Sequence, residues 1–539
     1  MPPQVGGTLS AAGRVVIERL RPPAYKPGAL PVWLLGGVLF LFGFAGEMRS
    51  GLNGDSAWLL HAAGRIADGA RLYTDVVEVN PPLIVWLNVI VFAVANLLRA
   101  SEITTYRVFV WGLIGLSLWL SDRMLASLRE HDDSRYRRGL LLGAALILLA
   151  LPGPYFGQRE HLTLAMVLPW ILTTAARARG RPPVDADAVT GGLLAGLGIA
   201  LKPHYLLLPL GLALYGWLRS ADRRLRLPPE QVALAALLGV YAVATLAFAP
   251  AYVEALVRFG SIYWEYGRRS LGAVLGGTLL PLTVLGSLLL WPAVRRLTRY
   301  PELADTLGIA TAALFAAVVL QHKGFGYHYY PAIGTGLLLL LTGLLGGSAR
   351  PLSPALRTVG AGLALLIAVP YMTLFLDNTA ARAGGSWQKR PITAGSRELA
   401  AFLGSHPARG PVVVYSPWME DSFPLLLETR VEWGSRYPFI WFLPALYREA
   451  LASGDSLRYR SGAEMSAAER RLIRGVAEDL GRYQPVYVFV RRPGGPDFLR
   501  VDILAALRQD AEFAKEFVPY RPTMELEHFR VFERGPVSP

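Results

Sequence analysis

The stretch GDSAWLLHAAGRIADGARLYTDVVEVNPPL, residues 54–83, gathers Asp55, Asp68, Asp75 and Glu78 with Tyr73 and the pair Pro81-Pro82. A carboxylate held beside a hydroxyl can take its proton while the oxygen attacks an electrophile, so these residue types suit base chemistry. They lie between two uncharged runs, 29–46 and 82–98. The chemistry therefore belongs at a lipid boundary. A plainer role is also open for each acid. Asp55 sits where a helix N-cap would sit, before a short surface helix with Leu59, Leu60, Ala63, Ile66 and Ala67 on one face. Glu78 can simply solvate a loop.

Four other polar clusters interrupt the apolar runs: GPYFGQREH (153–161), KPHY (202–205), RFGSIYWEYGRR (258–269) and QHKGFGYHYYP (321–331). Arg159, Glu160 and His161 open an apolar helix, and helix N-termini attract anions. Lys202 and His204 stand between two runs, Arg268 and Arg269 follow an aromatic patch, and Lys323, Tyr327 and His328 offer donors. Together they form a candidate shell for an anionic ligand such as a phosphate. The alternatives are an Arg–Glu interface pair, lysines that snorkel to the headgroups and an aromatic belt. His322 and His328 do not make a compact metal-ligand pattern, and the chain has no cysteine. No cofactor is assigned, and a divalent metal is not supported by a ligand pattern.

These clusters need positioning by membrane helices. Of 539 residues, 53% are hydrophobic and only 17% charged, whereas soluble chains are near a quarter charged. The apolar residues fall in blocks of roughly 14–24, the length of a membrane helix. The net charge of +14 sits in short arginine-rich loops (122–138, 177–181, 219–226, 295–299), as positive-inside topology demands, so a nucleic-acid partner is not expected. If 82–98, entered through Pro81-Pro82 and carrying Asn88 and Asn96, is interfacial, every basic loop faces the cytoplasm and every polar cluster faces out. The predicted fold class is a polytopic α-helical membrane protein of about eleven spans plus interfacial helices. Its N-terminus is cytoplasmic. Residues 1–376 form the membrane domain. Residues 377–539 form an extracytoplasmic α/β domain, with strands expected near 411–417, 485–491 and 529–534 and helices over 396–406, 468–483 and 502–517.

The order Asp55, Arg65, Gly69, Tyr73, Glu78, Pro81-Pro82-Leu83, followed by an interfacial apolar helix and a soluble outer tail, resembles the GT-C superfamily of membrane glycosyltransferases. It is similar above all to the bacterial lipid A aminoarabinose transferases and the protein O-mannosyltransferases. Ser56 stands where such proteins usually have a second acid, and Arg159 is followed at once by Glu160 and His161. The resemblance implies a GT-C-like fold in the bacterial inner membrane and inverting transfer of a sugar from a polyprenyl-phosphate donor. The acceptor is a hydroxyl of a glycan, lipid or protein. Asp55 and Glu78 would be catalytic, and Arg159, Glu160, His161, Lys202, His204, Arg268, Arg269, Lys323, Tyr327 and His328 would hold the donor. The competing classes are a flippase of a lipid-linked sugar and a lipid-diphosphate-dependent O-antigen ligase or polymerase. Transporters show internal repeats and mid-membrane charges, neither of which is evident here.

Overall fold

The computed structural model describes residues 37, 41, 44, 52–128, 134–219, 227–345, 393–453, 457–495 and 497–535. The chain forms two compact units, Met1–Phe42 and Gly43–Pro539. In the first, Gly37 and Leu41 are helical. Most of the expected span 29–46, all of 358–376 and the expected boundary at 376/377 lie outside the described residues.

The second unit opens with α1 (Gly54–Ala67), α2 (Leu83–Leu98), α3 (Glu102–Ser127), α4 (Ser134–Leu149), α5 (Arg159–Ala178) and α6 (Asp185–Ala200). It continues with α7 (Leu207–Arg219), α8 (Pro229–Phe248), α9 (Ala251–Glu265), α10 (Leu271–Gly276), α11 (Leu279–Leu297), α12 (Pro301–Gln321) and α13 (Gly326–Leu345). Among the described residues five helices, α3, α8, α11, α12 and α13, are long and apolar enough to cross a membrane. The fold is thus mostly helical. α2 has 16 residues, shorter than a typical span.

Helix α5 is the axis of the bundle. It is buried along nearly its whole length, and glycines let its neighbours approach closely. A Cβ on Gly198 would lie 2.9 Å from Met166 Cβ and 3.3 Å from Thr163 O, and one on Gly334 would strike Leu164. Small residues at such crossings are how helices pack without a hydrophobic drive between them. By contrast Val240, Val243, Leu246 and Phe248 on α8 are exposed, as side chains facing lipid would be.

The 20 residues of α5 extend about 30 Å, and they separate two unlike ends. At its C-terminal end the arginine-rich connectors interlock. Arg137 is bidentate to Asp122 at 2.7 and 3.0 Å, and Arg177 to Glu230 at 2.6 and 2.7 Å. Arg123 reaches Asp187 at 2.7 Å, Arg179 reaches Glu302 at 2.9 Å and Arg295 reaches Asp305 at 2.8 Å. The polar clusters read from the sequence gather at the other end.

The run expected over 271–294 is broken: Gly277 and Thr278 separate α10 from α11. Likewise the block 231–253 splits at Ala249-Pro250, because proline cannot supply the backbone donor a continuing helix needs. Its last residues begin α9.

The C-terminal part carries a four-stranded sheet in the order β1 (Val412–Tyr415), β2 (Tyr487–Arg491), β4 (Phe529–Arg534), β3 (Tyr520–Glu525). β1 and β2 run parallel with Val413 opposite Val488, and β4 is antiparallel to both β2 and β3. Helices α14 (Ala394–Ser405) and α15 (Ala467–Tyr483) have strong caps: a Thr393–Ser396 capping box, and Ser466 accepting from Glu469 N. The three expected strands and the helices near 396–406 and 468–483 are present. The helix expected over 502–517 is instead two, α16 (Ile503–Leu507) and α17 (Ala511–Glu516). Asp510 ends the first by capping the second, accepting from Glu512 N and Phe513 N at 3.0 and 3.1 Å.

Candidate active site

The chain enters α1 through Asn53, whose Oδ1 accepts from Ser56 N at 2.9 Å. Asn53, not Asp55, is therefore the N-cap. Asp55 lies in the first turn, and its carboxylate is free to point away from the helix, 3.4 Å from Gln158 Nε2 and 4.0 Å from Arg159 Nη2. Of the face expected to be apolar, Leu59, Leu60 and Ala63 are buried and Ala67 is exposed. Burial pushes the Asp55 carboxyl up from its usual range, opposed by Arg159 and reinforced by Glu160.

Glu78 is buried and saturated. It accepts from Trp58 Nε1 at 2.8 Å, Val79 N at 2.8 Å, Asn80 N at 2.9 Å and Asn80 Nδ2 at 2.5 Å. A carboxylate with this many donors is fixed in place. It ties α1 to the turn that leads into Pro81-Pro82, and Tyr73 Oη closes the same turn on Asn80 O at 2.7 Å.

The start of α5 is set by Gly157. Its φ is +80°, a region open to glycine, and a Cβ there would lie 2.9 Å from Tyr106 Cε1. Tyr106 Oη donates to Gly157 O at 2.5 Å, and Gly157 N donates to His161 Nδ1 at 2.9 Å. With that nitrogen accepting, His161 Nε2 donates to Leu148 O at 2.8 Å. His161 therefore braces the turn, with both ring nitrogens engaged by backbone. Arg159 and Glu160 are left facing the cluster.

Glu160 forms an ion pair with Lys202, which follows the end of α6, and His328 Nε2 lies 3.7 Å away. Lys202 Nζ stands 5.8 Å from the Tyr327 ring centroid. Within 321–331 only His322 to Phe325 break the helix, His322 and Gly324 with positive φ, and α13 begins at Gly326. This short bend delivers Lys323, whose Nζ lies 3.4 Å from the Tyr263 ring centroid, 5.7 Å from that of Tyr266 and 3.2 Å from Tyr263 O. Burial and the nearby charges of Lys202 and Arg159 push Lys323 down to about 7. The same two causes, with Lys323 added, push His204 down to about 3, so its ring is neutral.

Three buried nitrogens in this cluster have no hydrogen-bond partner among the described residues: Arg159 Nη1, His204 Nε2 and His328 Nδ1. Buried polar atoms are normally paired, so three orphans in one cluster call for a ligand. Arg268 and Arg269 do not join them. Both are exposed; Arg268 pairs with Glu265 at 2.7 Å, and Arg269 N donates to His322 O at 2.6 Å. Among the described residues no group of three or more His, Asp or Glu side chains is arranged to hold a metal ion.

The C-terminal part closes over this end. Val77 N donates to Arg436 O at 2.8 Å. Arg65 reaches Ser435 O at 3.1 Å and Tyr483 Oη at 2.6 Å, and Arg448 pairs with Glu265 at 2.7 Å. Phe423 meets the Trp58 and His61 rings, and Trp441 meets Tyr263. Sequence reasoning missed Asn53, Gln158, Tyr263, Tyr266 and Glu420. Gln158 and the tyrosines stand inside the quoted clusters, whereas Glu420 lies in an unremarkable part of the tail.

No family model matches the chain, and no curated protein matches it. Solved structures do. The crystal structure of ArnT from Cupriavidus metallidurans bound to undecaprenyl phosphate matches with a TM-score of 0.55 and 16% identity, over 94% of this chain and 98% of that one. The apo state of the same protein matches equally. Archaeal oligosaccharyltransferase AglB from Archaeoglobus fulgidus, in complex with an inhibitory peptide and a dolichol-phosphate, matches at a TM-score of 0.43 and 12% identity over 86% of this chain and 70% of that one. At these identities the likeness is one of fold. The chain shares the fold of ArnT over nearly its whole length.

Proposed function

We propose that this protein is an inverting glycosyltransferase of the bacterial inner membrane. It takes a sugar from a polyprenyl-phosphate donor and gives it to an acceptor hydroxyl at the outer face. Residues 1–376 form the catalytic membrane domain, threaded about eleven times with the arginine end in the cytoplasm. Residues 377–539 form the outer α/β domain. The carrying observation is the set of buried nitrogens without partners, Arg159 Nη1, His204 Nε2 and His328 Nδ1, in a cluster where Arg159 approaches the Asp55 carboxylate. Donors that lack partners in a buried site suit a tetrahedral anion, and the fold is similar to that of ArnT bound to undecaprenyl phosphate.

The chemistry follows from the placement. An acceptor hydroxyl beside Asp55 gives its proton to that carboxylate as its oxygen attacks the anomeric carbon. The bond from that carbon to the phosphate oxygen breaks, and the electron pair leaves with the lipid phosphate. Arg159, Lys323, His204 and His328 stabilise the growing charge there. Attack opposite the leaving group inverts the anomeric centre. Glu160 holds Lys202 and His328 in register, His161 braces the turn beneath Arg159, and Glu78 fixes the loop that carries Asp55's neighbours.

The test uses purified protein in lipid nanodiscs with membranes of a deletion host as the source of donor and acceptor. Wild type should form a new glycoconjugate by mass spectrometry and should bind undecaprenyl phosphate. Asp55→Asn should bind the lipid and form no product. A wild-type protein that binds the lipid and moves it across vesicles without forming product would replace the enzyme reading by that of a flippase.

A further inference from the structure

The tail contributes more than cover. Its short turn Met419–Asp421 is held from behind by Asp421, which is fully buried and accepts from Arg491 at 2.6 Å, Ser416 at 2.5 Å and Thr393 at 2.8 Å. A turn locked by three such bonds presents its middle residue in one direction. That residue is Glu420, and its direction is toward α1: a Cβ built on Gly54, the residue before Asp55, would lie 3.5 Å from Glu420 Cδ and 3.2 Å from Phe423 O. Gly54 is what lets the tail come this close. Glu420 is half-buried, and among the described residues no arginine or lysine pairs with it. The titratable groups facing it are Asp55, Asp421, Tyr155 and Tyr266. Arg159, Lys202 and Lys323 face Asp55.

A carboxylate without a cation, aimed at another carboxylate, is unfavourable unless something adds donors between them. If the tail only capped the bundle, any neutral residue would serve better. We infer that Glu420 is an acceptor-binding residue of this chamber and that the acceptor is a saccharide, with one hydroxyl at Asp55 and a second donating to Glu420. This rests on the transferase reading and names its acceptor class. A lone alkyl hydroxyl, as on a serine or threonine, has no second donor for Glu420. Burial and the facing charge of Asp55 push Glu420 up to about 7, which agrees with a carboxylate waiting for such a donor.

The same nanodisc assay, with membranes of the deletion host, tests this with Glu420→Gln and Glu420→Asp over a range of pH. A lost hydrogen bond to a charged group lowers transfer by about 10- to 100-fold. Undecaprenyl phosphate binding should be unchanged in Glu420→Gln, and Glu420→Asp should recover part of the activity. Mass spectrometry should place the new sugar on a saccharide. Normal transfer by Glu420→Gln at every pH would overturn the inference and leave the transferase reading standing. So would loss of lipid binding together with transfer, or a product on a protein hydroxyl. Absence of any product from wild type would sink both.

Discussion

The two ends of helix α5 carry the same kinds of residue and use them oppositely. At the C-terminal end each cation meets a carboxylate in good geometry: Arg177 makes two short bonds to buried Glu230, Arg137 two to Asp122, and Arg295 reaches Asp305. At the N-terminal end the cations are more deeply buried and less well matched. Lys202 has Glu160, but Arg159 only approaches Asp55 at 4.0 Å, and Lys323 rests against the Tyr263 ring. Paired charges hold loops together. Buried charges with spare donors remain poised for something that is not protein. Net charge alone does not distinguish the two ends; completeness of pairing does.

The sharpest way to break this contrast is to remove one charge at each end. Asp55→Asn keeps shape and removes the base. Because Asn53 is the cap, the helix should stay intact, and turnover should fall by about 10²–10⁴, the usual effect of losing a general base. Melting temperature and undecaprenyl phosphate binding should hold. Near-normal turnover in a folded variant would take the base role from Asp55.

The matching change at the other end is Arg177→Met. It strands Glu230, which is 1% exposed, and a stranded buried acceptor costs about 1–3 kcal/mol. The melting temperature should drop while turnover per folded molecule stays the same. A variant with normal stability and poor turnover would mean the arginine end takes part in the reaction.

The parts legible in the sequence were those set by local pattern. Apolar runs located most helices, and β-branched runs located β1 and β2. The residue types at Asp55, Arg159, Lys202 and Lys323 marked the cluster because each interrupts a lipid-compatible run. Other features depended on competition between neighbours. Asn53 outcompeted Asp55 as cap, Asp510 divided a helix, and Gly277 and Thr278 broke a span. β3 was invisible because five of its six residues are exposed and Pro522 sits inside it. Glu420, Tyr263 and Tyr266 enter the site through tertiary contacts of the tail and α9, which no local pattern encodes.

A smaller effect tests how poised the unmatched end is. Lys323, lowered to about 7, is charged below that pH and neutral above it. Bound phosphate favours the charged form, so wild type should lose affinity for undecaprenyl phosphate as pH rises through 7. A shift of one pKa unit on binding corresponds to about tenfold in affinity. Lys323→Met should bind more weakly at pH 6 and lose this slope, which separates it from titration of the phosphate itself, common to both proteins. Equal slopes in the two proteins would make Lys323 an anchor against Tyr263 only.

The smallest expected effect belongs to Arg268. By residue type it belongs with Arg159 and Lys323 as a candidate phosphate ligand. Its surroundings differ. It is exposed and pairs with Glu265 three residues earlier at 2.7 Å, and Glu265 also takes Arg448 from the tail at 2.7 Å. Exposed pairs contribute about 0–1 kcal/mol, and a screened guanidinium outside the buried cluster adds little to phosphate affinity. Arg268→Ala should therefore leave undecaprenyl phosphate binding within about twofold of wild type, the change expected from a fraction of that energy. Titration at two salt concentrations is the check. A loss approaching that of Lys323→Met, and persisting at high salt, would place Arg268 inside the binding shell and show that pairing in the free protein is a poor guide to which cations meet the lipid.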